Sequence, residues 1–377
     1  MPGGHEQRPT GSAPVWEHEG WAPLPALDGD VTADVCVVGL GGSGLTAVGE
    51  LLDRGASVVG LDAGPVGGGA AGRNGGFLLA GLADSYDVAV ARHGRERTAR
   101  LFRRTLEELD RVAAATPDAL VRNGSLRVER TEEGLASCAA QQRLMMEDGF
   151  AVEAYDGAEG RGLLFPRDAA VQPLRRCRLL ASAVTARGAR LHEGSAVLDI
   201  ARGRVVTAAG AVSCAAVVVA VDGGLEVLLP ELTGQVRTLR LQMLATAPTD
   251  EVDVPRPVYL RGGHEYWQQL PDRRLALGGF RDLGGDEEET RSIAVSPTVQ
   301  GALERFLRED LGVTAPITHR WAASVGYTPD GLPYVGQVRD GVWAAGGYCG
   351  TGNIVGALCG RQLAAAALGE PAGFWLP

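Results

Sequence analysis

The stretch from Val35 to Asp62 limits what this chain can fold into more than any other. Val35-Cys36-Val37-Val38 is an uninterrupted apolar run, the pattern of a strand buried on both faces of a parallel sheet. Gly39-Leu40-Gly41-Gly42-Ser43-Gly44 follows directly, then Leu45 to Leu52 at helical spacing, with Gly55 as its stop. Val58 to Leu61 reads as the next strand and ends at Asp62, 23 positions beyond Gly39. Gly39 permits the tight turn out of the strand. Gly41 lets backbone N–H groups approach a pyrophosphate, and Gly44 lets the helix pack closely on the sheet. Gly42 and Ser43 open the helix, where unpaired N–H groups and the dipole favour negative charge. Asp62 is placed to accept hydrogen bonds from a ribose diol, and an acid there disfavours a 2′-phosphate. The unit is therefore a dinucleotide site in which NAD and FAD both remain open.

The rest of the chain fits an α/β protein in which this dinucleotide-binding, Rossmann-like domain is joined to a second, sheet-containing α+β substrate domain. Residues 1–30 are expected to form a leader (Met1 to Pro14) and an extended arm lying over the surface. Residues 31–85, 170–225 and 320–377 are expected to build the nucleotide-binding domain discontinuously. Residues 86–169 and 226–319 would then make the domain that covers the cofactor. Helices are expected over Tyr86 to Thr116, Glu132 to Asp148, Gln300 to Asp310 and Asn353 to Leu368, and an apolar strand over Ala216 to Val221, ending in Asp222-Gly-Gly. At 377 residues the chain can support both cores.

Composition removes several function classes. No apolar run approaches the roughly 20 residues that span a bilayer, and the leader lacks a signal pattern, so no membrane span and a cytoplasmic location are expected. The six cysteines include no CxxC pair, which reads as reduced thiols rather than structural zinc, and no metal site is expected. A net charge of −10 disfavours nucleic acid as a partner. All 36 basic residues are arginines; the chain has no lysine. No lysine Schiff base can form, and no lysine ammonium can sit beside a cofactor.

A second glycine-dense stretch, Gly64 to Gly81, contains Gly69-Ala70 and Gly72-Arg73-Asn74-Gly75-Gly76, for which a simple NAD dehydrogenase has no need. Here the chain resembles the FAD-dependent amine and amino-acid oxidases of the glycine oxidase, sarcosine oxidase and D-amino-acid oxidase group. Within that group it is most similar to gamma-glutamylputrescine oxidase-type enzymes, whose segment commonly reads Gly-Ala-Ser-Gly-Arg-Asn-Gly-Gly. Ala71 stands in place of the usual serine. Two further blocks carry the resemblance: Trp321 to Gly336, with its Thr-Pro-Asp-Gly turn, and Gly346-Gly347-Tyr348-Cys349-Gly350-Thr351-Gly352-Asn353, which enters the last helix.

The resemblance implies non-covalent FAD held by Gly39, Gly41, Gly42, Ser43, Gly44, Asp62, Ala63, Gly72, Arg73, Asn74, Gly75, Gly76, Val197, Gly347, Gly350, Thr351, Gly352 and Asn353. It implies oxidation of a C–N bond of a small amine or amino-acid substrate to an imine, by hydride transfer to flavin N5, with oxygen as one candidate acceptor. Tyr266, Trp267 and Tyr348 are the candidate substrate-side residues. Three departures qualify this. The carboxylate-gripping arginine of glycine oxidase-type relatives corresponds to Val325, so an α-amino acid would need another anchor, such as Arg261 or Arg281. The cysteine that links FAD in sarcosine oxidases corresponds to Ala323. The oxygen-activating lysine of sarcosine oxidase-like enzymes has no counterpart. The alternatives are a D-amino-acid or glycine-type enzyme using a different arginine, and a non-oxidising flavoprotein with structural FAD.

Overall fold

The computed structural model describes residues 13–17 and 20–371, so the expected leader lies outside the described residues except for Ala13 and Pro14. β1 (Val35–Val38), α1 (Gly42–Asp53) and β2 (Val58–Leu61) form the expected unit. Every residue of both strands is buried, which is why neither alternates. β1 lies inside a six-stranded sheet. On one side of it come β2 and then Arg190–His192; on the other come β3 (Ala216–Val219), Val342–Gly346 and Tyr334–Arg339. Only the last pair is antiparallel.

The chain leaves β1 toward β2 on one side and returns on the other as β3, so a crevice opens at the carboxyl ends of β1 and β3. Gly39 sits in that crevice with φ +100°, and a Cβ there would lie 2.6 Å from the Ala220 carbonyl oxygen. α2 (Pro173–Ala186) and α3 (Val355–Ala367) pack on α1 through Leu45, Val48, Cys177, Val184, Cys359 and Leu363.

The second sheet has eight strands, in the order Ile317–Tyr327, Arg237–Thr246, Leu275–Gly279, Glu265–Gln269, Val258–Leu260, Ser125–Glu129, Gly160–Phe165 and Glu153–Gly157. Its register aligns Trp321, Met243, Gly278, Tyr266, Tyr259 and Arg127 as successive cross-strand partners. Such partners share a face, and this row faces the half built on the six-stranded sheet. The opposite face is closed by Pro297–Arg305, with Trp267, Leu277, Leu303 and Phe306 in one core.

Four expectations change. Ile317–Tyr327 pairs along its length with Arg237–Thr246, so residues 320–327 belong to the covering sheet rather than to the nucleotide-binding segment. The helix expected over 86–116 is two, Tyr86–His93 and Arg95–Ala115, broken at Gly94 with φ +83°. The last helix begins at Val355 rather than Asn353. Trp16, expected on a surface arm, is 2% exposed and donates through Nε1 to the Asn74 carbonyl at 3.0 Å.

One buried ion pair braces the covering sheet. Arg240 donates to Glu288 through Nε and Nη2, both at 2.8 Å, and Gln242 and Ser296 donate to the same carboxylate. Glu288 is 1% exposed, so removing its charge strands a buried guanidinium. Glu288→Ala is expected to lower unfolding stability by about 3–5 kcal/mol, read from the urea midpoint. The Arg240→Met/Glu288→Leu double variant should recover most of that loss.

Candidate active site

A cavity of about 820 Å³ runs between the two sheets. It is lined by Asp62, Ala63 and Val197, by Gly39, Gly41, Gly42 and Ser43, by Ala70, Ala71, Arg73, Asn74 and Gly75, and by the covering sheet. Asp62 accepts from the Leu40 N–H at 2.7 Å and the Gly64 N–H at 2.8 Å, which ties the glycine turn to the end of β2. The same carboxylate lines the cavity, where a ribose diol would meet it. The first intrahelical bond of α1 is Leu45 N–H to the Gly41 carbonyl, so the N–H groups before Leu45 have no partner within the helix. An acid at the strand end, a bare glycine turn and a helix N-terminus along one elongated cavity fit a dinucleotide cofactor.

The Gly72–Gly76 loop is clamped from every side. Trp321 Nε1 donates to the Arg73 carbonyl at 2.8 Å, while Arg73 Nε donates to the Ala322 carbonyl at 2.7 Å. Asn74 donates to the Ala71 carbonyl at 2.8 Å and accepts from the Gly76 N–H at 2.9 Å and from Asn353 Nδ2 at 3.1 Å. Asn353 also donates to the Phe77 carbonyl, and Gln268 donates to the Gly75 and Gly76 carbonyls. Arg73, Asn74 and Gly75 line the cavity. Gly350, Thr351, Gly352 and Asn353 line it from the approach to α3.

Tyr266 faces the cavity between two glycines: a Cβ on Gly75 would lie 2.9 Å from its ring, and one on Gly278 would lie 2.4 Å from it. Burial raises its hydroxyl pKa, so the phenol is neutral. Tyr259 and Tyr327 line the same space. Trp267, expected beside them, is on the other face of the sheet; alternation turns its ring into the core, 5.5 Å from Phe306. Tyr348 reaches the cavity, yet its hydroxyl donates to Ser43 Oγ at 2.8 Å within the core around α1, which makes it a brace for that helix. Gly44, Gly72, Gly76 and Gly347 do not line the cavity. They stand one layer behind it, where side chains would collide with the Gly39, Gly67 and Val171 carbonyls and with Thr328.

Of the two arginines considered for a carboxylate, Arg261 is engaged by Glu265, with Nε donating at 2.8 Å, and by Asp282 at 3.1 Å. Arg281 lines the cavity and lies over the Tyr327 ring, 5.0 Å from its centroid.

Asp222 was not singled out from sequence, although Asp222-Gly-Gly at the end of an apolar strand is where a crevice ligand is met. It lines the cavity with φ +58°, accepting from the Gly326 N–H at 3.0 Å and the Tyr348 N–H at 3.1 Å. Burial raises its carboxyl to about 6, against the pull of those donors and the Gly347 N–H.

The family model for FAD dependent oxidoreductases (DAO) matches residues 34–366. The chain is 28% identical to gamma-glutamylputrescine oxidoreductase of Escherichia coli over 379 residues, covering 91% of this chain and 85% of that one. In structure it resembles glycine oxidase from Geobacillus kaustophilus, with TM-score 0.73, 22% identity and coverage of 92% and 97%. It also resembles L-proline dehydrogenase from P. horikoshii, with TM-score 0.74, 17% identity and coverage of 92% and 95%.

Because the folded-state value of Asp222 lies above its ordinary 3.8, the folded chain binds more protons than the unfolded one between about pH 4 and about pH 6. This group's contribution to stability is complete below that window and is lost as pH rises through about 6. Asp222→Asn is expected to flatten that part of the Tm–pH curve; an unchanged slope would assign it to another group.

Proposed function

This chain belongs to the family of FAD-dependent oxidoreductases, and on that premise we propose that it oxidises the C–N bond of an amine or amino compound to an imine. The observation that carries the reading is one continuous cavity joining the glycine turn and Asp62 to the wall made by Tyr259, Tyr266 and Tyr327. FAD, when bound, would supply the oxidising power for loss of hydride from the substrate carbon, with the nitrogen giving up a proton. The protein's own task is then to bind, orient and desolvate. Asp62, the α1 N-terminus and the 72–76 loop would hold the cofactor. The tyrosine wall would strip water from the substrate and so favour the neutral amine, the form able to lose hydride.

The cofactor is proposed to be non-covalent. Ala323 offers no thiol, and Cys349 Sγ is turned to the Gly347 carbonyl at 3.3 Å and to Thr328. The six cysteines are all unpaired, which fits a cytoplasmic enzyme. Among the described residues no helix is long and apolar enough to cross a membrane.

Arg281 favours a second reading, in which the substrate is an amino acid whose carboxylate pairs with that guanidinium. The chain reaches Arg281 through Phe280, a non-glycine residue at φ +59°, a conformation that costs on the order of 1–3 kcal/mol.

Anaerobic addition of amines and amino acids to the yellow enzyme is expected to bleach the flavin, and acid precipitation to release it into solution. If no amine or amino acid bleached the flavin, C–N oxidation would be the wrong reaction class. Arg281→Met should raise KM for an amino-acid substrate by about tenfold or more and leave its decarboxylated amine unaffected. Equal effects on both would remove the carboxylate reading. With no lysine ammonium to assist oxygen, reoxidation by a quinone dye is expected to outpace reoxidation by air.

A further inference from the structure

α1 points its N-terminus at the cavity, yet Gly41 to Leu45 carry no charged side chain, and the chain has no lysine to place there. A pyrophosphate at this position brings negative charge that partial helix charges balance only in part. Arg176, on α2, stands behind the turn. Its Nη1 lies 2.7 Å from where a Cβ on Gly42 would be, so the guanidinium fills the space that a side chain at position 42 would take. This places the charge against the first turn of α1, whose opening N–H groups have no partner within the helix.

Arg176 is 2% exposed, and its buried Nε has no hydrogen-bond partner. The carboxylate whose field reaches it, Glu108, is already engaged by Arg361, whose Nε donates to its two oxygens at 3.0 and 2.9 Å. Burial pulls the Arg176 pKa below its ordinary value, as for a cation that lacks sufficient compensation. A buried charge without an adequate partner is costly unless a ligand completes it.

We propose that Arg176 is the counter-charge for the pyrophosphate of bound FAD, acting across Gly42 and positioning the diphosphate on α1. The absence of a side chain at position 42 is part of the same arrangement, since even a methyl group there would displace the guanidinium. The proposal rests on FAD as the cofactor and is independent of the substrate reading.

The test uses purified holoenzyme and follows FAD release on dilution by the rise in flavin fluorescence. Arg176→Met, close in length and uncharged, is expected to release FAD at least about tenfold faster, with Arg176→Lys intermediate. Competition against FAD rebinding by ADP and by adenosine then separates charge from shape. In the wild-type chain ADP should compete better than adenosine, and Arg176→Met should shrink that preference by about tenfold. An unchanged release rate, or equal losses for ADP and adenosine, would overturn the proposal. If Arg176→Met does not fold, the comparison of wild type with Arg176→Lys still decides: an ADP preference absent from the wild type overturns it. A purified chain that carries and takes up no FAD would instead overturn the cofactor assignment.

Discussion

The structure depends on one reciprocal interaction, the exchange of hydrogen bonds between the Gly72–Gly76 loop and the Ile317–Tyr327 strand. Trp321 donates to the carbonyl of Arg73, and the Arg73 side chain donates to the carbonyl of Ala322. Both side chains are buried, so either bond, once broken, would leave a polar group without water to replace its partner. The loop belongs to the nucleotide-binding half and the strand to the covering sheet. These polar bonds join the two halves beside the cavity, together with an apolar cluster in which Leu174 and Trp16 pack on Met243, Ala276 and Trp321. Trp16, Gln268 and Asn353 add donors to the same short backbone segment from three further directions.

Charge is arranged with the same economy. With arginine as the sole basic residue apart from histidine, buried cations are planar and able to bind two acceptors at once. Arg240 uses that capacity on Glu288, and Arg361 approaches both oxygens of Glu108. Arg176 and Arg281 differ from these. One stands behind the glycine turn, and the other lies on an aromatic ring facing the cavity.

Much of this was legible in the linear order of residues. The glycines of the turn and the acid at the end of β2 have local reasons, because a turn, a helix start and a strand end are decided within a few residues. Tyr266 and Trp267 show where such reasoning stops. Both are aromatic, adjacent and strand-borne, and alternation sends them to opposite faces; only pairing with Gly278 and packing against Phe306 says which face is which. Arg261 and Arg281 are equivalent in the sequence, and only the fold brings Glu265 and Asp282 around the first. Arg176 gave no local signal, lying in an ordinary helix far along the chain from Gly42.

The sequence by itself determined the dinucleotide unit, the presence of a second sheet and the likeness to FAD-dependent oxidoreductases, since each rests on short-range geometry or on motifs in fixed order. Tertiary structure alone decided which residues share the cavity. Contacts such as Arg176 with Gly42, Trp321 with Arg73 and Asp222 with Tyr348 join positions more than a hundred residues apart. Their existence follows from sheet register and helix packing, which are properties of the whole fold and not of any segment.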